Sequence, residues 1–485
     1  MKKSLLMTTA LVAAFSATNV CAEDWTISSK ETITDEFISR DNVTVATGGD
    51  ITISGNNSGI ISNGNFTMED GSLTASSNGG SADTGVFVRG VSSSATIENG
   101  TINLTEARIA KGEEDTDTTG DVNISGGKIT LNNQAYIEMY DTNTGSVNLS
   151  GGELNINDNS GILLDGANDF TMTGGSLTAT SNSNSADTGV FVKGNGADVN
   201  IQGGDINLTD SRIYKGNDTA TTGDINISGG NITLNKNAYI EMRKENTGNV
   251  NMTGGKLVLN ENSGLLLNTN DDQGIDGNAI KLIVNGDDAT ITANGSNQIS
   301  GDIDFTKGTI TVTNGASLTS GDIAMKSENA KIDLLGKLNT NVNGSGNLCF
   351  KNSAANVSGN VTGSSLSFDT DHSLSKAIGG TISNITALNV NKGTLTYDKD
   401  AGSIGNVSVA GGAGLDIGTN KLTATTVNFA DNSTLGLKIA SANNYGQINA
   451  NTINIGNDTI SCTFHGYVST NYSFARGIRY FSFHG

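Results

Sequence analysis

A ten-residue pattern, VNISGGKITL at residues 122–131, returns along the first half of the chain and restricts it to one kind of architecture. INISGGNITL (225–234), VNLSGGELNI (147–156) and VNMTGGKLVL (250–259) are close copies. VNIQGGDINL (199–208), ATIENGTINL (95–104) and FTMTGGSLTA (170–179) are looser ones. The second corner residue is glycine at Gly49, Gly71, Gly100, Gly127, Gly152, Gly175, Gly204, Gly230 and Gly255, in steps of 22 to 29 residues. Such a step is a solenoid period. On either side of the corner, apolar residues alternate with Asn or Thr. Period 2 sends the apolar pair inward and the polar residue outward. The Gly-Gly pair supplies the positive φ of a tight corner.

A third apolar patch follows in each repeat, as in GVFV (85–88), AYIEM (135–139) and SGILL (160–164). Three short strands and three corners describe one coil of a parallel β-helix. The fold class is therefore all-β, a solenoid of about 22–29 residues per coil. Asn123, Asn148, Asn200, Asn226 and Asn251 share one outward slot, so polar ladders are expected along that face.

Composition agrees. The chain of 485 residues has 63 glycines and no proline. Proline lacks the N–H that a strand paired on both sides must donate, so its absence suits a chain that is paired strand almost throughout. A hydrophobic content of 35% suits a thin rod with a narrow interior.

A longer repeat overlies the short one. SADTGVFVRG (81–90) returns as SADTGVFVKG (185–194), an offset of 104, and NQAYIEM (133–139) as KNAYIEM (236–242), an offset of 103. A four-coil block, residues 71–174, is thus duplicated as 175–277, with one residue lost in the loop around 113–119. The organisation reads as an export signal (1–22), an N-terminal cap (23–48), regular coils (49–277), a less regular continuation of the β-helix (278–460) and an aromatic tail (461–485). The tail holds seven aromatic residues together with Arg476 and Arg479. It reads either as a capping strand pair or as out-of-frame sequence.

Lys2 and Lys3, the apolar run from Leu5, and the small residues around Ala22 have the form of a cleaved signal peptide. The apolar run is too short to span a bilayer. Without residues 1–22 the chain has 26 basic and 49 acidic residues, a net charge of −23. Such a surface repels phosphate backbones and anionic lipid, which argues against nucleic acid as a partner.

Chemistry was sought residue by residue. Cys349 and Cys462 follow no metal-ligand spacing, and His372, His465 and His484 have no evident nucleophile partner. The acidic loop GEEDTDTTGD (112–121) offers Glu113, Glu114, Asp115 and Asp117 as oxygen ligands. Its second copy, GNDTATTGD, lacks most of them, so a solvated loop is the reading taken. GGAGLD (411–416) imitates a calcium-binding nonapeptide once, and is read as another corner. Asp83, Glu138, Asp187 and Glu241 are the carboxylates a polysaccharide-cleaving β-helix would need, yet they recur in both blocks as structural slots would. Trp25, the only tryptophan, is read as covering the open end of the first coil rather than as a sugar platform. No catalytic, cofactor-binding or metal-ligating residue is assigned, and no cofactor is expected.

With its signal peptide, Gly-Gly-cornered coils and the segment at 427–455, the chain resembles passenger domains of bacterial autotransporters, the pertactin-like and AIDA-type adhesins above all. The resemblance covers residues 45–460. It implies a Gram-negative host, export through the outer membrane, and a right-handed β-helix displayed on the surface or shed from it. It implies a host-cell, matrix or glycan partner, and an outer-membrane barrel that is supplied in trans or lost, since no run of membrane strands follows Ile460. The serine-protease passenger motif Gly-Asp-Ser-Gly is absent, which leaves adhesion or surface display. A polysaccharide-active enzyme and a structural coat protein are the alternatives.

Overall fold

The computed structural model describes residues 23–77, 83–113, 116–182, 187–217, 219–243, 245–269, 280–441, 443–456 and 461–466. The signal peptide and the tail from 467 therefore lie outside the described residues, as do Glu114 and Asp115. The chain is 57% strand and 1% helix, wound as a parallel β-solenoid of about 17 turns.

Each coil places three strands. In one coil these are Val122–Ile124, Lys128–Asn132 and Tyr136–Met139. Every strand pairs in parallel with its counterpart one coil on, so Val122 meets Val147 and Ile129 meets Leu154. The expected parity holds. Val122, Ile124, Ile129 and Leu131 are buried, while Asn123 and Thr130 face outward. A single apolar core runs from Ile27 to Leu435.

The two corner glycines act for different reasons. Gly127 has φ +75°, a left-handed conformation that a side chain would strain. Gly126 has no such φ, but a Cβ there would lie 2.1 Å from the carbonyl oxygen of Glu98 in the preceding coil. That contact sets how closely coils stack. Gly126→Ala should therefore cost about 2 kcal/mol or more through overpacking, although its backbone conformation is ordinary. Thermal unfolding beside the wild type checks this, and an unchanged Tm would refute it.

The second corner turns without glycine. Asn133 and Gln134 both have positive φ (47° and 62°), as do Asp158 and Asn159, Lys236 and Asn237, and Glu261 and Asn262. Asn and Asp tolerate this region better than other side chains.

Residues 25–45 already form a coil, with Trp25 opposite Val43, Lys30 opposite Asp50 and Phe37 opposite Gly59. Between Val43 and Val250 the ladder steps 23 to 29 residues per coil. The duplication is visible as matching steps of 29, 27 and 25 residues, then 29, 26 and 25.

Beyond residue 280 the coils shrink, which corrects the expected period of 22–29. Ile303, Ile323, Val342, Val361 and Ile382 follow one another at 19 to 21 residues. The Gly-Gly corner is missing there. Leu282–Ala293 runs straight through it as one bulged strand, pairing with both Val250–Met252 and Lys256–Leu259. The third face also breaks. Its 14-stranded sheet ends at Asn356–Val357, and a new one begins at His372–Ser373 beside the single helical turn Leu374–Ala377. His372 fills the break. Its ring stands edge-on to the stacked Phe350 and Phe368, and its Nε2–H donates to the Ala355 carbonyl at 2.8 Å while Nδ1 accepts the Ser373 N–H at 2.9 Å.

Candidate functional site

With the interior apolar, chemistry falls to the outward rows. On the first strand the expected amide ladder forms. Asn148 donates to Asn123 at 2.9 Å, and Asn226 to Asn200 and Asn251 to Asn226 at 3.0 Å, with Thr171 separating the two runs. A second ladder was not anticipated. It uses the residue just before each first strand, whose side-chain oxygen accepts the backbone N–H of its counterpart one coil on. Asn42 to Asn65 (2.9 Å), Asp121 to Ser146 (2.8 Å), Asp198 to Asp224 (2.7 Å) and Asn341 to Asn360 (2.9 Å) are examples. Burial raises the Asp169 carboxyl in this row above the ordinary range.

The third face gathers the four candidate carboxylates. Arg108 stands between them in the first block. Its guanidinium donates to Asp83 at 3.2 Å from the preceding coil and to Glu138 from the following one, and its carbon lies 5.9 Å from the centre of the Phe87 ring. Arg108 and Glu138 are only 7% and 4% exposed. Arg212 repeats the arrangement, with Glu241 at 2.7 Å, Asp187 at 3.8 Å, and the rings of Phe191 and Tyr214 at 5.6 and 4.9 Å. Each arginine thus ties three coils together.

Burial disfavours the charge of Arg108, but Glu138, Tyr140 and Asp83 raise its proton affinity above the ordinary arginine value. Burial pushes the Glu138 carboxyl up, past the opposing pull of Arg108. Two carboxylates converging on an open cleft would be required for glycoside chemistry. Here each pair is divided by an arginine that engages both members.

The remaining candidates are scattered. Glu113 pairs with Arg89 at 3.6 Å, and Asp117 is exposed. Asp416 accepts the Gly418 N–H at 2.9 Å, so GGAGLD does form a corner, followed by the strand Gly414–Asp416. Trp25 is half-buried with the Arg40 guanidinium 5.4 Å above its ring. Cys349 is a buried free thiol donating to Asp369 at 3.4 Å, and burial pushes it up to about 12. Among the described residues no three His, Cys, Asp or Glu side chains group as a metal site, and no helix is long and apolar enough to cross a membrane. A shallow depression of about 560 Å³ lies where Asp287 and Asp288 overhang the glycine corners at 229–230 and 254–255.

Two unanticipated features complete the surface and interior. Lys111 and Lys215 point inward, fully buried, in a row otherwise filled by Val88, Met139, Leu164 and Met242. The outer face of the second strand, in contrast, is free of charge over most of its width for twelve coils, and Val258 is its one apolar interruption. No family model matches the chain, and no curated protein matches it in sequence.

Proposed function

We propose that this chain is a non-enzymatic β-helix displayed on, or shed from, the surface of a Gram-negative bacterium, acting as an adhesin-like passenger. The observation that carries this reading is the duplicated four-coil block, which lengthens the rod and repeats its outer rows without altering its core. The arginine-divided carboxylates support it further, since both copies are committed to holding coils together. Partners on this reading are host-cell or matrix surfaces, met through outward rows and corner loops.

In-frame removal of residues 175–277 tests it. Because the excised block begins and ends at the same point of a coil, the shortened rod should keep its β-rich circular dichroism. Its adhesion to epithelial cells and immobilised matrix should fall at least several-fold, in line with the lost surface. Adhesion that is unchanged, or absent already in the intact chain, would sink the reading.

A further inference from the structure

On the second strand of each coil three side chains face outward, and the rows they form along the rod differ in kind. The first row mixes charges, with Lys30, Asp50, Lys128, Glu153, Asp205 and Lys256 among its members. The middle row, from Thr32 to Thr311, is Thr or Asn in every coil except at Val258. The third, from Thr34 to Asn294, is Ser, Thr or Asn throughout. Strand propensity favours Thr on such a surface, but it does not account for Asn, which strands disfavour, nor for the exclusion of Lys and Glu that the adjacent row accepts.

The amides are also fixed in direction. Asn157 donates to Asn132 at 3.0 Å, and Asn260 to Asn235 and Asn294 to Asn260 at 2.9 Å. Each ladder amide therefore uses one N–H and one carbonyl lone pair along the axis and leaves one of each facing outward.

We propose that this face binds an extended, uncharged polysaccharide lying along the rod, which names the ligand class within the adhesin reading and rests on it. Coils repeat at about 4.8 Å and the two rows stand about 6.6 Å apart, giving a lattice of donors and acceptors. An extended β-linked pyranose chain advances by a similar distance per sugar, so each coil meets a fresh set of hydroxyls. Charge selects against the alternatives. A body with net charge −21 repels uronate and sulfated chains. A neutral hydroxyl ligand meets two rows that carry no charge to be desolvated. These rows hold no aromatic platform, so single contacts are weak and affinity must accumulate along the polymer.

The test uses purified full chain with neutral β-glucan and β-mannan oligosaccharides of two to twelve sugars, and oligogalacturonates of matching length, measured by calorimetry. Affinity for at least one neutral series should rise tenfold or more from the shortest to the longest member. The charged variant Thr130→Glu/Thr178→Glu should lose at least tenfold, and the near-isosteric Thr130→Val/Thr178→Val, which keeps strand propensity, should also weaken binding. No neutral binding by the wild type, a stronger oligogalacturonate series, or a folded valine variant that binds as the wild type does would overturn the proposal. Cell adhesion separates it from the parent reading. A chain that adheres to cells but is not displaced by neutral oligosaccharides refutes this inference alone, whereas a chain that adheres to nothing refutes both.

Discussion

Glu138→Ala is expected to be among the most damaging single substitutions on the outer surface of the rod, costing about 3–5 kcal/mol of local stability. The guanidinium it abandons is itself buried, and the remaining partner Asp83 is held at 3.2 Å by a side chain that is 62% exposed. An exposed carboxylate in water offsets little of a buried charge. Glu138→Gln should cost clearly less. It keeps an acceptor for Arg108, and it removes a carboxylate whose ionised form is already disfavoured by burial. The sign follows from linkage. A folded-state proton affinity above the unfolded one contributes stability below the unfolded pKa, and loses it as pH rises through the folded value. The double variant Arg108→Met/Glu138→Leu removes both charges and should recover most of the loss. Because a long repeat array does not unfold as a single two-state unit, the measurement is native-state hydrogen exchange at Arg108–Lys111 and Tyr136–Met139. A change below about 1 kcal/mol for Glu138→Ala would show that the three-coil tie is incidental.

What was legible in the sequence follows from what repeats at short range. The parity of VNISGGKITL placed Val122, Ile124, Ile129 and Leu131 inside and Asn123 outside, because period 2 is a local property of a strand. The Asn ladder followed once the copies were aligned. The ion pairs were not legible as pairs, although Asp83, Arg108 and Glu138 all recur in the second block. Their partners are neighbours only after coiling, 25 and 30 residues away in the chain. The second corner escaped notice because it turns on Asn133 and Gln134, with no glycine to mark it. The shorter coils after residue 280 escaped for a related reason: where the Gly-Gly corner is lost, Leu282–Ala293 passes through it, and the period loses its marker. The neutral rows were half visible. Thr130 and Asn155 read as generic outward polar residues until the ladder register showed that no charge interrupts their row.

One signal was available and went unused. Counting by two from the buried Ile109 puts Lys111 inside, and counting from Ile213 does the same for Lys215. The pH dependence of the rod should report them. Burial pushes both amines down to about 8, with Asp121 pulling Lys111 back up and Asp198, Asp169 and Asp224 doing so for Lys215. The folded chain thus gives up these protons near pH 8, whereas the unfolded chain holds them to about 10.5. Between those limits the unfolded state binds more protons, so stability rises with pH. Below pH 8 the burial cost is present in full, up to about 3 kcal/mol per lysine from the size of the shift. The Tm should therefore climb from pH 7.5 to about 10, a range in which most proteins gain nothing. Lys111→Met/Lys215→Met should raise the Tm at pH 7 and flatten the climb, since methionine already fills this row at Met139 and Met242. Part of the gain is offset by the lost hydrogen bonds to the Gly90 and Gly194 carbonyls, at 3.2 and 3.0 Å, each worth roughly 1 kcal/mol. A wild-type Tm that stays level or falls over this range, or a double variant less stable at pH 7, would mean the amines are held as settled charges by their aspartates. The outcome thus decides whether the buried lysines weaken the interior or complete it.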